Sequence, residues 1–303
     1  MRILVTGASG LLGANLALEA AKDHTVYGLV NALQLRTEAF QILKGDLMEP
    51  GVIEQALDET QPDWVIHCAA LTNVDACESD PARAVELNTE VPRKLATYVG
   101  RGGARLLHVS TDAVFDGAKG NYRESDPPKP LSVYARTKLE GERAVAEANP
   151  SAIIARVNLF GWSPSGKRSL AEWFFNNLSA GKPVMGFTDV YFCPLLANDL
   201  GRIFLAMLQE QLHGLYHVVA RDCISKYEFG VQLAGLFDLD ADLIHPTALR
   251  EAGLAAPRSP RLTLNTEKLA LALGYPPPTI RQGLEQFHRL YEDKYPQKLR
   301  EML

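Results

Sequence analysis

Tyr134 and Lys138 stand four residues apart in the run Val133-Tyr134-Ala135-Arg136-Thr137-Lys138, and on a helix that spacing stacks them on one face. A phenol with an ordinary pKa of about 10 gives up its proton reluctantly near neutrality, but an ammonium one turn away stabilises the phenolate. Such a pair can deliver a proton to the alkoxide that remains when a hydride reduces a ketone. A second set, Thr6-Gly7-Ala8-Ser9-Gly10-Leu11-Leu12-Gly13, carries three glycines spaced three apart directly after an apolar run. A turn without Cβ atoms lets backbone N–H groups approach a pyrophosphate and delivers it to the positive end of the next helix, so a nucleotide is the expected guest. A third set, Ser110-Thr111-Asp112, closes another apolar run and brings hydroxyls to the sheet edge where ligands of open α/β sheets bind. Asp112 can equally cap a turn there.

These groups need a scaffold, and the chain alternates strands with helices. Strands are expected at 2–6, 25–30, 39–43, 64–68, 104–109, 152–157 and 215–219, with helices at 12–22, 52–59, 82–99, 133–147, 170–178, 198–209 and 280–291. The second strand ends in Asn31, where a carboxylate would bond a ribose 2′-hydroxyl; its absence, with Arg36 nearby, tilts the cofactor toward NADP over NAD. Asp46, in Gly45-Asp46-Leu47, can accept from an adenine amino group or cap the following helix. The fourth strand runs into Ala69-Ala70, small enough for a cofactor to lie close, and His67 within it reads as a core histidine. Asn88 can hold a water relay or mark a local bend. Regular alternation ends after residue 158. The expectation is a Rossmann-type α/β fold with a doubly wound parallel sheet of about seven strands. Residues 1–160 form the dinucleotide-binding domain, 194–220 return to it, and 161–193 with 221–303 make a smaller interleaved substrate region.

The 303 residues are 47% hydrophobic and 22% charged with a net charge of −5, ordinary for a globular protein. No Lys/Arg block points to nucleic acid or an anionic membrane, so a small molecule is the expected partner. Cys68, Cys77, Cys193 and Cys223 lie far apart without a Cys-x-x-Cys pair and read as reduced, buried thiols, with no metal site. With no leader pattern and no apolar run of membrane-spanning length, a cytoplasmic location is expected.

The glycine turn, the Ser/Thr ending the fifth strand and Tyr134-x-x-x-Lys138 resemble the extended short-chain dehydrogenase/reductase family. Val109-Ser110-Thr111-Asp112-Ala113-Val114-Phe115-Asp116-Gly117, the run Val133 to Glu142, Pro194 to Leu200 and Leu264 to Leu269 are similar to its dTDP-4-dehydrorhamnose reductase branch. The resemblance implies NADP-dependent reduction of the 4-keto group of a nucleotide-linked deoxysugar. Tyr134 would be the acid, Lys138 would also bond the nicotinamide ribose, Thr111 would hold the substrate oxygen, and Asp112 would join them. Gly7, Ser9, Gly10, Leu11, Leu12, Gly13, Asn31, Arg36, Asp46, Leu47, Cys68, Ala69 and Ala70 would line the cofactor. Thr72, Val74, Asp112 and Asn158 would face the sugar nucleotide. Arg258 and Arg261 are candidates for its pyrophosphate, since guanidinium forks match phosphate oxygens, and a solvated loop charge is the equal alternative for each. The branch usually has an aromatic residue where Ala113 stands and Arg-Thr-Ser-Trp where this chain has Arg156-Val157-Asn158-Leu159, so Trp162 is the candidate replacement for the missing tryptophan. The resemblance also allows a homodimer. Alternatives on the same scaffold are a sugar-nucleotide epimerase or 4,6-dehydratase, the latter weakened by Ala113 in place of a glutamate, and a non-catalytic nucleotide-binding subunit like the relative that partners methionine adenosyltransferase.

Overall fold

Ile3 and Val5 of β1 (Arg2–Thr6) pack into one apolar cluster while Leu4 packs into another, so this strand is buried on both faces. That double burial is what a continuous apolar strand in a parallel sheet requires. The computed structural model describes residues 1–33, 35–251 and 259–303. After β1 come β2 (Thr25–Val30), β3 (Gln41–Lys44), β4 (Trp64–His67), β5 (Arg105–Thr111), β6 (Ile153–Val157) and a seventh strand, Gly214–Val218. They form one parallel sheet in the order β3-β2-β1-β4-β5-β6-seventh. The order reverses between β1 and β4, which opens a crevice at the carboxyl ends of those two strands.

The helices that position the site are α1 (Leu11–Ala20), α2 (Val52–Thr60), α3 (Val74–Ser79), α4 (Pro81–Val85), α5 (Val91–Gly102), α6 (Val133–Ala148), α7 (Leu170–Ser179) and α8 (Ala197–Gln209). On one face α1 packs along α8 through Leu12, Leu16, Leu200, Ile203 and Phe204. On the other, Ile53 of α2, Leu95 and Val99 of α5 and Val145 of α6 close over Leu4, Val65 and Ile154. Beyond the sheet, short strands pair Tyr191–Phe192 with Ile224–Ser225 and with Arg261–Leu262. Helix Lys226–Leu236 packs beside Ile224–Ser225, and helix Ile280–Glu292 packs on that helix.

Two expectations need correction, and the C-terminus adds a contact. The helix expected over 82–99 is α4 and α5 joined by a π-helical turn, Glu86–Glu90, centred on Asn88. Cys193 and Cys223 are not free thiols. The antiparallel pairing of Phe192 with Ile224 continues into them, their Cα atoms are 4.2 Å apart, and they form a disulfide. Cys68 and Cys77 are free. Finally, the last helix, Tyr295–Glu301, straps back onto the nucleotide half. Tyr295 Oη donates to Asn15 Oδ1 at 2.9 Å, and the Met302 carbonyl accepts from the Arg36 N–H at 2.7 Å. Among the described residues no helix is long and apolar enough to cross a membrane.

Candidate active site

The crevice is a cavity of about 520 Å³ that brings together Gly7, Ser9, Gly10, Leu11, Leu12, Gly13, Asn31, Asp46, Leu47, Cys68, Ala69, Ala70, Thr72, Ser110, Thr111, Asp112, Tyr134, Lys138 and Asn158. Its floor is the glycine turn. Gly7 has φ +69°, and a Cβ there would lie 2.8 Å from the Ala69 nitrogen; one at Gly13 would lie 2.2 Å from the Gly7 carbonyl oxygen. Larger residues would therefore pry β1, α1 and the loop after β4 apart. Gly10 caps α1 with no side-chain hydrogen bond, and no acidic residue sits in the first turn. The positive end of α1 is thus left open to an anion, and the turn fits a dinucleotide pyrophosphate.

At the far wall, β5 delivers Thr111 and Asp112, and α6 delivers Tyr134 and Lys138. Ser132 starts α6 by accepting from the Ala135 N–H at 3.2 Å, which fixes the register of the Tyr/Lys face. The phenol of Tyr134 bonds the Thr111 hydroxyl, and burial pushes its pKa up to about 12. Asp112 is buried; its Oδ2 accepts from Asn158 Nδ2 at 2.6 Å and its Oδ1 from Thr111 Oγ1 at 3.3 Å. Burial outweighs these bonds and raises its carboxyl pKa to about 6. Lys138 is buried and donates to the Val109 carbonyl at 2.6 Å, with His108 Nε2 at 3.5 Å. Burial lowers its pKa to about 8, against the pull of Glu142 and Cys68. The expected lowering of the Tyr134 pKa by Lys138 is not realised here, because burial dominates the phenol and the ammonium is held by the β5 backbone.

Behind Lys138, His67 Nδ1 and Thr6 Oγ1 are 2.7 Å apart, and the His67 ring stacks on His108 with centroids 5.4 Å apart. Burial and the Lys138 charge hold the pKa of His67 down to about 3 and that of His108 well below its ordinary value. His67 is thus the neutral core histidine the sequence led one to expect. Burial also pushes the Cys68 thiol up to about 12.

Several expected site residues have other partners, and some lie outside the crevice. Ser110 Oγ donates to Glu142 at 2.5 Å, and Glu142 pairs with Arg156 through bonds of 2.9 and 2.7 Å, all buried. Trp162 is a core residue, 2% exposed, donating from its ring nitrogen to the Phe287 carbonyl and stacked on Phe287 at 4.0 Å. It cannot replace the missing tryptophan in the sugar pocket. Arg36 is exposed and lines a separate surface hollow with His24 and Phe40. Its backbone is tied to the C-terminus, which turns this loop away from the crevice. Asp46 makes an Asx turn onto the Met48 N–H at 3.0 Å, and Gly51 rather than Asp46 caps α2. Val74 opens α3 and is not among the crevice residues. Arg261 is exposed on the short strand beside Tyr191, outside the crevice. Arg258 lies outside the described residues. Among the described residues no group of three His, Cys, Asp or Glu side chains could hold a metal ion.

Three residues that matter escaped the sequence reading or were left undecided by it. Asn88, the open case, bonds the Leu71 N–H at 2.9 Å, the Leu71 carbonyl at 3.1 Å and Thr137 Oγ1 at 3.1 Å, so it ties the loop after β4 to α6. Asn15 of α1 donates to the Trp162 carbonyl at 2.8 Å across 147 residues. Arg168 lines the crevice from the loop before α7.

The family model described as RmlD substrate binding domain matches residues 1–292. A probable low-salt glycan biosynthesis reductase, Agl14, of Haloferax volcanii is 32% identical over 97% of this chain and 99% of its own length. The dTDP-4-dehydrorhamnose reductase of Mycobacterium tuberculosis is 33% identical over 89% of this chain and 87% of its own. Methionine adenosyltransferase 2 subunit beta of Danio rerio is 32% identical over 89% and 84%. Among solved structures, dTDP-4-dehydrorhamnose reductase of Bacillus anthracis in complex with NADP superposes with a TM-score of 0.81 at 26% identity, covering 94% of this chain and 98% of that one.

Proposed function

The chain belongs to the RmlD substrate binding domain family, and from that premise and the contents of the crevice we infer that it is an NADP-dependent reductase of the 4-keto group of a nucleotide-linked deoxysugar. The observation that carries this reading is that Thr111, Tyr134 and Lys138 converge on the cavity whose floor is the glycine turn. When bound there, a reduced nicotinamide supplies the hydride. Thr111 and Tyr134 bond the ketone oxygen, and Tyr134 protonates it as negative charge develops. An alkoxide is a much stronger base than a phenolate, so a phenol held at about 12 still donates. The same value disfavours the reverse reaction, which needs the phenolate. Lys138 holds the nicotinamide ribose. Asp112, fixed by Asn158, faces the sugar, as does Thr72.

In this reading residues 1–160 with 194–220 carry the cofactor and most of 161–193 with 221–303 shape the sugar-nucleotide side, while the loop 163–169 and the last helix reach back to the nucleotide half. Asn31, exposed on the crevice rim, leaves room for a 2′-phosphate, which supports NADP over NAD without help from Arg36. The test is oxidation of NADPH by nucleotide-linked 4-keto sugars, with loss of turnover in Tyr134→Phe.

A second reading, a nucleotide-binding regulatory subunit, draws on the 32% identity with the methionine adenosyltransferase subunit. It predicts cofactor binding without turnover and a stable complex with a methionine adenosyltransferase catalytic subunit in a pull-down.

A further inference from the structure

Arg168 and Lys138 are the cations that line the crevice among the described residues, and Lys138 is turned onto the Val109 carbonyl. Arg168 is exposed, and among the described residues no carboxylate pairs with its guanidinium. Its backbone, by contrast, is fixed from both sides. On one side Asn15 of α1 holds the Trp162 carbonyl, and a Cβ on Gly161 would lie 3.4 Å from Leu11, so this stretch rides against the helix that follows the glycine turn. On the other side the buried Glu172 carboxylate accepts from the Ser163 N–H and hydroxyl at 2.6 and 2.9 Å, from the Arg168 N–H at 2.7 Å and from the Ser169 N–H at 3.1 Å. The loop 163–169 is therefore closed onto the start of α7. It presents a guanidinium to the crevice whose floor carries the open, positive end of α1. A diphosphate on that helix end carries charge that backbone N–H groups neutralise only in part, and a guanidinium fork matches the phosphate oxygens left over.

We propose that Arg168 clamps the pyrophosphate of the bound dinucleotide against the glycine turn. This rests on the nicotinamide-reductase reading and assigns a residue to it. The test is a binding titration of the full chain with NADPH, NADH, ADP-ribose and adenosine 2′-monophosphate, comparing wild type with Arg168→Ala and Arg168→Lys. Loss of one charged hydrogen-bonded pair should weaken NADPH, NADH and ADP-ribose alike, by about tenfold or more. Adenosine 2′-monophosphate should bind unchanged, and Arg168→Lys should recover part of the loss by charge alone. Three results overturn the proposal: unchanged affinity for all four ligands, a loss confined to NADPH and adenosine 2′-monophosphate, which would make Arg168 a 2′-phosphate reader, or an effect only on the KM of the sugar nucleotide. Wild-type protein that binds none of the dinucleotides would instead overturn the reductase reading itself, and the clamp with it.

Discussion

Lys138 and Tyr134 divide the pH behaviour between them. Burial holds the Lys138 ammonium down to about 8 and the Tyr134 phenol up to about 12, so the phenol stays protonated across the working range while the lysine does not. With the cationic lysine required, kcat/KM for the cofactor, which reports groups of the free enzyme, should fall as pH rises through about 8. A profile flat to pH 10 would remove the Lys138 charge from the mechanism. At the rim of the same crevice, Asn31→Asp places a carboxylate where a 2′-phosphate would lie. Titration with both cofactors should show preference moving from NADPH to NADH by about tenfold, roughly one charged contact. No movement would mean that Asn31 does not face the ribose. The Tyr134/Lys138 pair and Asn31 could be placed from the sequence because their signals are local: a four-residue spacing on a helix and the residue that follows a strand. Trp162 and Arg36 could not, because the same sequence windows serve equally for a core ring or an outward loop charge. Only the Phe287 stack and the Met302 tie decide between these uses.

The π-helical turn between α4 and α5 exists to aim Asn88 at two elements at once. Its amide satisfies both backbone groups of Leu71, in the loop after β4, and reaches Thr137 on α6, one residue before Lys138. Widened turns of this kind mark functional sites more often than ordinary helix does. Asn88→Ala leaves the Leu71 groups without these partners and should cost about 2 kcal/mol or more of unfolding free energy, read from urea midpoints. A loss below about 0.5 kcal/mol would mean that water replaces the clamp without penalty. At this scale the strands and most helices could be read from apolar runs and glycine breaks. The π turn, the Cys193–Cys223 pair and the Arg168 loop could not, since each depends on contacts between segments that the sequence separates, by 30 residues for the disulfide and 147 for the Asn15 tie.

In the whole molecule, histidines buried as neutral rings couple folding to acid. His67 and His217 are held near 3, and His108 well below its ordinary value, chiefly by burial. In the unfolded chain each takes up a proton near pH 6.5, so the stability they contribute is complete above that value and is lost as pH falls from 6.5 toward 3. The slope approaches about 4 kcal/mol per pH unit if all three respond. Asp112, raised to about 6, works in the opposite sense, favouring the folded chain as it protonates between pH 6 and 3.8. Thermal unfolding should therefore show Tm dropping steeply between pH 6.5 and 4, and a constant Tm over that range would contradict the buried neutral histidines. At the centre stands the proposal that the crevice turns over a nucleotide-linked 4-keto sugar with Tyr134 as the proton donor. The most direct measurement follows NADPH absorbance with a panel of such sugars, in wild type and in Tyr134→Phe. Turnover in the wild type, reduced by about a hundredfold or more in the variant while NADPH affinity changes less than about twofold, is the predicted result. Equal rates in the two proteins, or tight NADPH binding with no turnover on any member of the panel, would contradict it.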